Sequence, residues 1–390
     1  MPKNWNTYKL GDIAKIKYGK DHKKLEEGTI PCYGTGGIMR YVNSFLSDEE
    51  SVLIPRKGSL NSIFYINRPF WTVDTLFWTK VNNDIAFAKY LYYYLTTIDF
   101  ASKDVGSAIP SLTTSLLNVL DITLPPLPEQ KAIASILSAL DDKIENNLAM
   151  NKTLEDMAME LYKHWFVDFG PFQEGKFVDS ELGKIPEGWE VKRLDEVAIK
   201  KSESFNFKIV DEVVFVNTGD VQEGRFLHSE KKSKTGLPGQ AKKAISKGDI
   251  LYSEIRPKNK RYAFVNFDSS DYVVSTKFMI INPKENILNK LLYRVLTMQS
   301  TVDNFNSIAE GRSGTFPQIT FDAISDFELI LPPLEIQRHY QKLVSPMEMK
   351  QDELYTENQT LTNLRDTLLP KLISGEVRLK EFKEEITAAL

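Results

Sequence analysis

The stretch LPPLPEQKAIASIL begins at Leu124, and LPPLEIQRHYQKLV begins at Leu331, an offset of 207 residues. The same offset sets Pro110 on Pro317, Thr113 on Thr320, Gln130 on Gln337, Leu154 on Leu361 and Leu161 on Leu368, with no gap between them. Further upstream the copies still match, at smaller offsets. KYLYYYLT (89–96) meets KLLYRVLT (290–297) at 201, TVDTLF (72–77) meets VVSTKF (273–278) at 201, and WNTYKLGDIA (5–14) meets WEVKRLDEVA (189–198) at 184. The drift places insertions within the first half of the second copy. The repeating unit is therefore a variable mixed block followed by a helical block of constant length, used twice.

The helical blocks carry a narrow apolar seam. Ile133, Leu137, Leu140, Ile144, Asn147, Asn151, Leu154, Ala158, Leu161 and Trp165 fall at alternating spacings of 4 and 3. That is the pattern of a coiled coil, not the broader stripe of a helix lying on a globular core. Adding the offset gives Tyr340, Val344, Met347, Gln351, Leu354, Asn358, Leu361, Arg365, Leu368 and Leu372, with a polar interruption in the same region. Leu-Pro-Pro stays extended and marks each start. Pro128 suits a first helical position, and Glu129 and Glu335 lie near the positive end of the helix dipole. No Ser, Thr, Asp or Asn immediately precedes either start, so the capping signal is incomplete. A helix from Glu129 to Trp165 would run roughly 55 Å. Pro346 predicts a kink in the second helix, or the separation of its first two or three turns.

Two seams of equal length in one chain predict that the helices pair. Leu137, Leu140, Ile144, Asn147, Asn151, Leu154 and Leu161 would pack with Met347, Leu354, Asn358, Leu361 and Leu368, and Asn147 and Asn151 facing Leu354 and Asn358 would set the register. The run HWFVDFGPF (164–172) ends the first helix by packing it onto a domain. The expected fold class is α+β: two similar mixed globular domains separated by two long antiparallel coiled-coil helices, related as a pseudo-two-fold internal repeat. The expected boundaries are 1–128 for the first domain, 129–170 for the first spacer helix, 171–334 for the second domain and 335–390 for the second helix and tail.

Enzyme signatures are missing. No GxxxxGK[ST] loop occurs, and YGTGG (33–37) lacks the lysine and spacing of a phosphate-binding loop. The four histidines are isolated and make no metal-ligand pattern. DILYSEIRPK (249–258) only loosely resembles the paired acids of a metal-dependent nuclease, and no Asn-Pro-Pro-aromatic or Asp-Pro-Pro-aromatic sequence is present. The expectation is a chain that catalyses nothing and holds no metal or cofactor. A single cysteine, Cys32, leaves no internal disulfide framework and fits a reducing compartment. No apolar run approaches membrane-spanning length, so a cytoplasmic protein without membrane contact is expected.

Charge is unevenly spread. The net charge is +2 over 1–128, −4 over 129–170, 0 over 171–334 and −2 over 335–390, so the acid excess lies on the helices. Within 225–261, eleven basic residues face three acidic ones, in EKKSK, AKKAISK and RPKNKR. The first block has a sparser counterpart in IPRKGSLNS (54–62), and Arg56 and Arg256 both follow an apolar, strand-like run. Such runs are either ordinary solvated surface or an electrostatic footprint for phosphates.

Taken in order, the variable block, the LPPLPEQ helix, WFVDF…P, LGKIPEGWEVKRLDEVA, a second variable block, the LPPLEIQ helix and LLPKLISGEVRL resemble the specificity subunit of type I restriction-modification systems. The likeness covers essentially the whole chain. It implies that each variable block is a target recognition domain for one half of a bipartite, asymmetric double-stranded DNA site. It also implies that the helices dock methyltransferase subunits, two of them, and that restriction/translocase subunits join through the complex. S-adenosylmethionine, ATP, magnesium and the catalytic residues would all sit on those partners.

On this reading, basic residues grip phosphates while a few side chains read base edges, chiefly in the major groove. Helix length would set the half-site spacing, since groove-facing recurs every ~34–36 Å. The candidate DNA-binding residues are Arg56, Lys57, Ser59, Asn61 and Ser107 in block one. In block two they are Arg256, Lys258, Lys260, Arg261, Lys277, Arg312 and Ser313, the last two in EGRSGTFPQIT (310–320), aligned with VGSAIPSLT (105–113). The rival reading is a coiled-coil interaction scaffold that does not recognise DNA.

Overall fold

A computed structural model describes residues 4–103 and 110–377. The chain divides into two compact units. One combines the chain up to Ala149 with the segment from Leu354 onward, and the other is Met150–Glu353. The fold class is α+β, and the two units repeat one plan.

Each unit holds a four-stranded antiparallel sheet in the same strand order. In the first unit this is Ala14–Tyr18, Leu76–Val81, Ser51–Pro55 and Phe64–Ile66. In the second it is Ala198–Lys201, Phe278–Pro283, Ile250–Ser253 and Tyr262–Phe264. Ser51–Pro55 and Ile250–Ser253 are buried at every residue, as a short apolar run between two neighbours must be. A second sheet in each unit contains one parallel pair, Ile30–Gly34 with Trp71–Thr72 and Glu212–Val216 with Tyr272–Ser275.

A two-stranded ribbon completes the plan. Asn6–Lys9 pairs with Asp121–Leu124, and Glu190–Arg193 pairs with Glu328–Leu331. Asn6 faces Leu124 and Glu190 faces Leu331, so the sequence offsets of 184 and 207 are reproduced residue for residue. The second unit's insertions show as a small hairpin, Val221–Gln222 with Arg225–Phe226, and as the 14-residue helix Gln299–Arg312.

The two long helices, Leu127–Phe166 and Leu334–Ser374, contribute to both cores. In the first unit Ile133 and Leu137 pack with Leu368 and Leu372 on a core that includes Leu10, Phe77, Tyr90 and Leu117. In the second, Ala158, Tyr162 and Trp165 pack with Tyr340 and Val344 on Leu194, Tyr252, Met279 and Leu292. Within each unit an early part of one helix meets a late part of the other, so the pairing is antiparallel. The expected seam is the buried one. Leu354 and Asn151 are buried, Leu140, Leu161 and Met347 pack at the core margins, and Leu154, Leu361 and Ile144 are half-buried.

The asparagines pair, but not with the expected partners throughout. Asn147 donates to Asn358 Oδ1 at 2.9 Å and to Glu357 Oε2 at 2.8 Å, while Asn358 donates to the Ile144 carbonyl at 3.3 Å. The Asn151 carbonyl accepts from Gln351 Nε2 at 3.2 Å. The aromatic run closes the first helix as expected, with Phe166 against Tyr340 (4.9 Å between ring centres) and Phe172 against Trp189 (5.0 Å).

Pro346 does not split the second helix, which runs unbroken through it for 41 residues. The carbonyl that loses its donor belongs to exposed Lys342, and buried Val344 and half-buried Met347 hold the turns on either side.

Each helix start is tied to its globular block by a glutamine side chain. The Gln130 side chain is fully buried and donates to the carbonyls of Ile85 (3.0 Å) and Pro125 (2.9 Å), while its oxygen accepts from Phe87 N–H (2.8 Å). Gln337 repeats the clamp, with Asn286 O at 3.0 Å, Pro332 O at 2.8 Å and Leu288 N–H at 2.8 Å. Replacing Gln337 by Leu strands the buried Pro332 carbonyl together with the part-buried Asn286 carbonyl and Leu288 N–H. Unsatisfied groups of this kind cost about 1–3 kcal/mol each. Urea unfolding followed by tryptophan fluorescence should therefore show the second unit weakened by about 3 kcal/mol or more, and an unchanged midpoint would refute the clamp.

Candidate nucleic-acid interface

In each unit the central strand of the four-stranded sheet runs into an exposed turn, and the backbone bonds there fix which residues correspond. In the first unit, Leu112 N–H donates to Arg56 O (2.9 Å) and Gly58 N–H donates to Pro110 O (3.1 Å). In the second, Ile319 N–H donates to Glu254 O (2.9 Å) and Arg256 N–H donates to Pro317 O (3.0 Å). Leu112 and Ile319, like Pro110 and Pro317, are related by the offset of 207. Glu254 therefore stands where Arg56 stands, and Arg256 stands where Gly58 stands. The apparent match of Arg56 with Arg256 along the chain is corrected by this register.

Gly58 and Arg256 share a left-handed backbone, with φ of +87° and +46°. Glycine takes that conformation freely, whereas an arginine there costs about 1–2 kcal/mol. Lys260 closes the same turn with φ +52°. Between them Pro257–Asn259 forms one turn of 3-10 helix, on which the helix Gln299–Arg312 packs.

The second unit brings most of its candidates together here. Arg256 is exposed, and its guanidinium lies 5.9 Å from the centre of the Phe316 ring. Lys258 pairs with Glu310 at 3.6 Å, and Lys260 pairs with Glu223 at 3.4 Å. Arg261 reaches Thr218 Oγ1 at 3.5 Å, on the side of the inserted hairpin. Lys277 donates to Gln318 Oε1 at 3.4 Å. Arg312 ends its helix exposed, and Ser313 Oγ accepts from Phe316 N–H at 3.2 Å, which fixes the backbone that carries the ring beside Arg256.

The first unit is more sparsely furnished. Arg56 is half-buried, donates to Asp74 O (3.0 Å) and stacks 5.3 Å from the centre of Tyr18. Lys57 and Ser59 are exposed on the same turn. Asn61 is otherwise employed. Its oxygen accepts from Phe100 N–H (2.9 Å) and Ala101 N–H (3.2 Å), and its nitrogen donates to Asp99 (3.2 Å), so it anchors a neighbouring turn. Ser107 lies outside the described residues.

The basic run of 225–261 is not one footprint. Lys231, Lys232 and Lys234 pair with Asp271 (2.8 Å), Glu230 (3.3 Å) and Asp211 (2.9 Å) around the second sheet. Lys243 donates to the carbonyls of Thr276 and Phe278, and burial pushes its ammonium below the usual lysine range. Only the RPKNKR segment reaches the turn. The residues that the sequence did not flag are Gly58, Tyr18 and Phe316. Nothing in the linear pattern marks any of the three.

The α+β unit occurs twice, and each copy carries an exposed turn with basic residues at the end of a central strand. Residues 2–156 and 186–362 match the type I restriction modification DNA specificity domain, and the chain belongs to that family. It is 28% identical to the type I restriction enzyme MjaIX specificity subunit of Methanocaldococcus jannaschii, over 98% of this chain and 95% of that one. It is 49% identical to the HindI specificity subunit of Haemophilus influenzae over 46% of this chain, which spans 39% of that relative's length. The fold matches the crystal structure of the type I restriction-modification S subunit from M. genitalium with a TM-score of 0.61 and 17% identity, over 95% of this chain and 96% of that one. Among the described residues, no helix is long and apolar enough to cross a membrane.

Because Asn61 anchors a turn, Asn61→Ala should lower the stability of the first unit by about 1–2 kcal/mol. Hydrogen exchange at Phe100 and Ala101 would report it, and unaltered protection there would refute the anchoring role.

Proposed function

We propose that this chain is the non-catalytic, DNA-reading subunit of a type I restriction-modification complex in the cytoplasm. Its blocks 1–128 and 171–334 act as target recognition domains, each reading one half of a bipartite, asymmetric double-stranded site. The observation that carries this is the turn built twice on the same backbone bonds and furnished differently, with Arg56 and Gly58 in one copy and Glu254 and Arg256 in the other. Two heads alike in geometry and unlike in chemistry suit two unlike half-sites, whereas a palindrome would call for identical heads.

Lys57, Lys258, Lys260 and Arg312 grip phosphates and hold register. Ser59, Arg256, Arg261 and Lys277 face base edges. The long helices dock two methyltransferase subunits. In support, exposed apolar side chains recur at the repeat offset, Leu148 with Tyr355 and Met157 with Leu364, as two equivalent footprints require. Restriction/translocase subunits join through that assembly, and S-adenosylmethionine, ATP and magnesium belong to the partners.

Expressing the chain with its methyltransferase subunits and sequencing the methylated genome should return one interrupted, asymmetric motif. A continuous motif, a palindrome or no motif would each overturn the reading. Lys57→Ala and Arg312→Ala should each weaken binding about equally on all sequences and flatten the salt dependence by about one unit of slope. Loss confined to single base positions would instead make them base readers.

A further inference from the structure

Resting on the reading above that the second unit binds duplex DNA, we propose that Arg256 recognises a guanine in that unit's half-site.

The turn itself does not need an arginine. At the equivalent place in the first unit Gly58 makes the same bond to the corresponding proline, Pro110, and a Cβ built there meets only Thr35 Oγ1 at 3.7 Å. No crowding demands a glycine and no contact demands a side chain, so the left-handed backbone alone decides the preference, and it favours glycine. Arginine is retained against that preference.

Nor does the side chain serve the fold. Arg256 is exposed, and among the described residues no carboxylate pairs with it. The neighbouring cations differ, since Lys258 is engaged by Glu310 and Lys260 by Glu223. Two cations of this loop, Arg256 and Lys260, hold a left-handed backbone. Lys260 is paired with Glu223, so Arg256 alone of the two combines that conformation with no acidic partner among the described residues. Residues poised for a ligand are often found in such strained conformations.

The mounting favours a base over a phosphate. Pro257 fixes φ immediately after Arg256, and Lys260 closes the turn in a second left-handed conformation. The Phe316 ring lies under the guanidinium and is itself anchored by Ser313. A phosphate can be met by any flexible lysine. A planar fork aimed from a stiff turn matches the two acceptors, O6 and N7, that guanine alone presents side by side in the major groove. Ser313 is on this account a positioning residue for the ring.

The test uses the full chain assembled with its methyltransferase subunits and a randomised duplex DNA library. Wild type should enrich an interrupted motif with at least one guanine in one half. Arg256→Gly should enrich the same motif with that single guanine preference reduced about tenfold or more, the other half untouched. Its melting temperature should equal or exceed that of wild type, because glycine suits the backbone. An unchanged motif with Arg256→Gly, an equal loss of affinity for every sequence, or a lowered melting temperature would each overturn the assignment and leave the proposed function standing. A wild-type complex that enriches no motif would bring down both.

Discussion

Two buried carboxamides, those of Gln130 and Gln337, decide where each long helix leaves its globular block. Each Leu-Pro-Pro segment brings one carbonyl into the interior and supplies no N–H groups from its prolines, and the loop that begins the preceding short helix brings a second carbonyl and one orphan donor. A glutamine answers all three needs at once, with two donors on one nitrogen and an acceptor oxygen. A glutamate in its place would offer no donor to the carbonyls and would bury a charge. The seam positions fall on the two cores because the first turn of each helix is pinned in this way.

On this repeated scaffold the electrostatics are not repeated. Tyr93 and Arg294 occupy matching positions, as do Asp141 and Glu348. In the first unit Tyr93 donates to Asp141, which also takes Arg365 from the second long helix. Burial, followed by that hydrogen bond, holds the phenol well above its ordinary range. In the second unit nearly inaccessible Arg294 meets Glu155 and Glu348, one from each long helix. Burial works against its charge, but Glu155, Tyr340 and Glu348 outweigh that and raise its pKa. The same joint is thus wired as tyrosine–acid–arginine in one copy and as acid–arginine–acid in the other. Removing the acids from the second joint would strand the buried charge of Arg294, so its contacts cannot be exchanged piecemeal for those of the first.

Much of the architecture was legible along the chain because it is governed by local, periodic rules. The 4-3 spacing depends only on helix geometry, and the 207-residue offset survives because neither helical block tolerates a length change without moving every seam residue to another face. The reading was weaker wherever it treated neighbours in sequence as neighbours in space. EKKSK, AKKAISK and RPKNKR look like one basic field, yet strand pairing sends the first two to a different sheet, where carboxylates and carbonyls engage them. Asn61 has the composition of a base reader and the bonds of a turn anchor. Pro346 is a helix breaker in isolation, and packing on both sides of it overrides the rule.

By itself, the sequence determined that the chain contains one plan twice, where its two long helices run, which of their faces are buried, and the family to which it belongs. The repeat, the helices and their buried faces follow from spacing, which any continuous helix or repeated block must obey, and the family follows from the likeness of particular motifs. Only the tertiary structure decided which cations share a turn and which residues of the two copies correspond. Those matters depend on strand register and on backbone bonds to prolines more than fifty residues away, and insertions between the copies hide them from any fixed offset. Gly58 and Arg256 are the measure of that difference, because nothing in their surrounding letters aligns them and a shared N–H bond does.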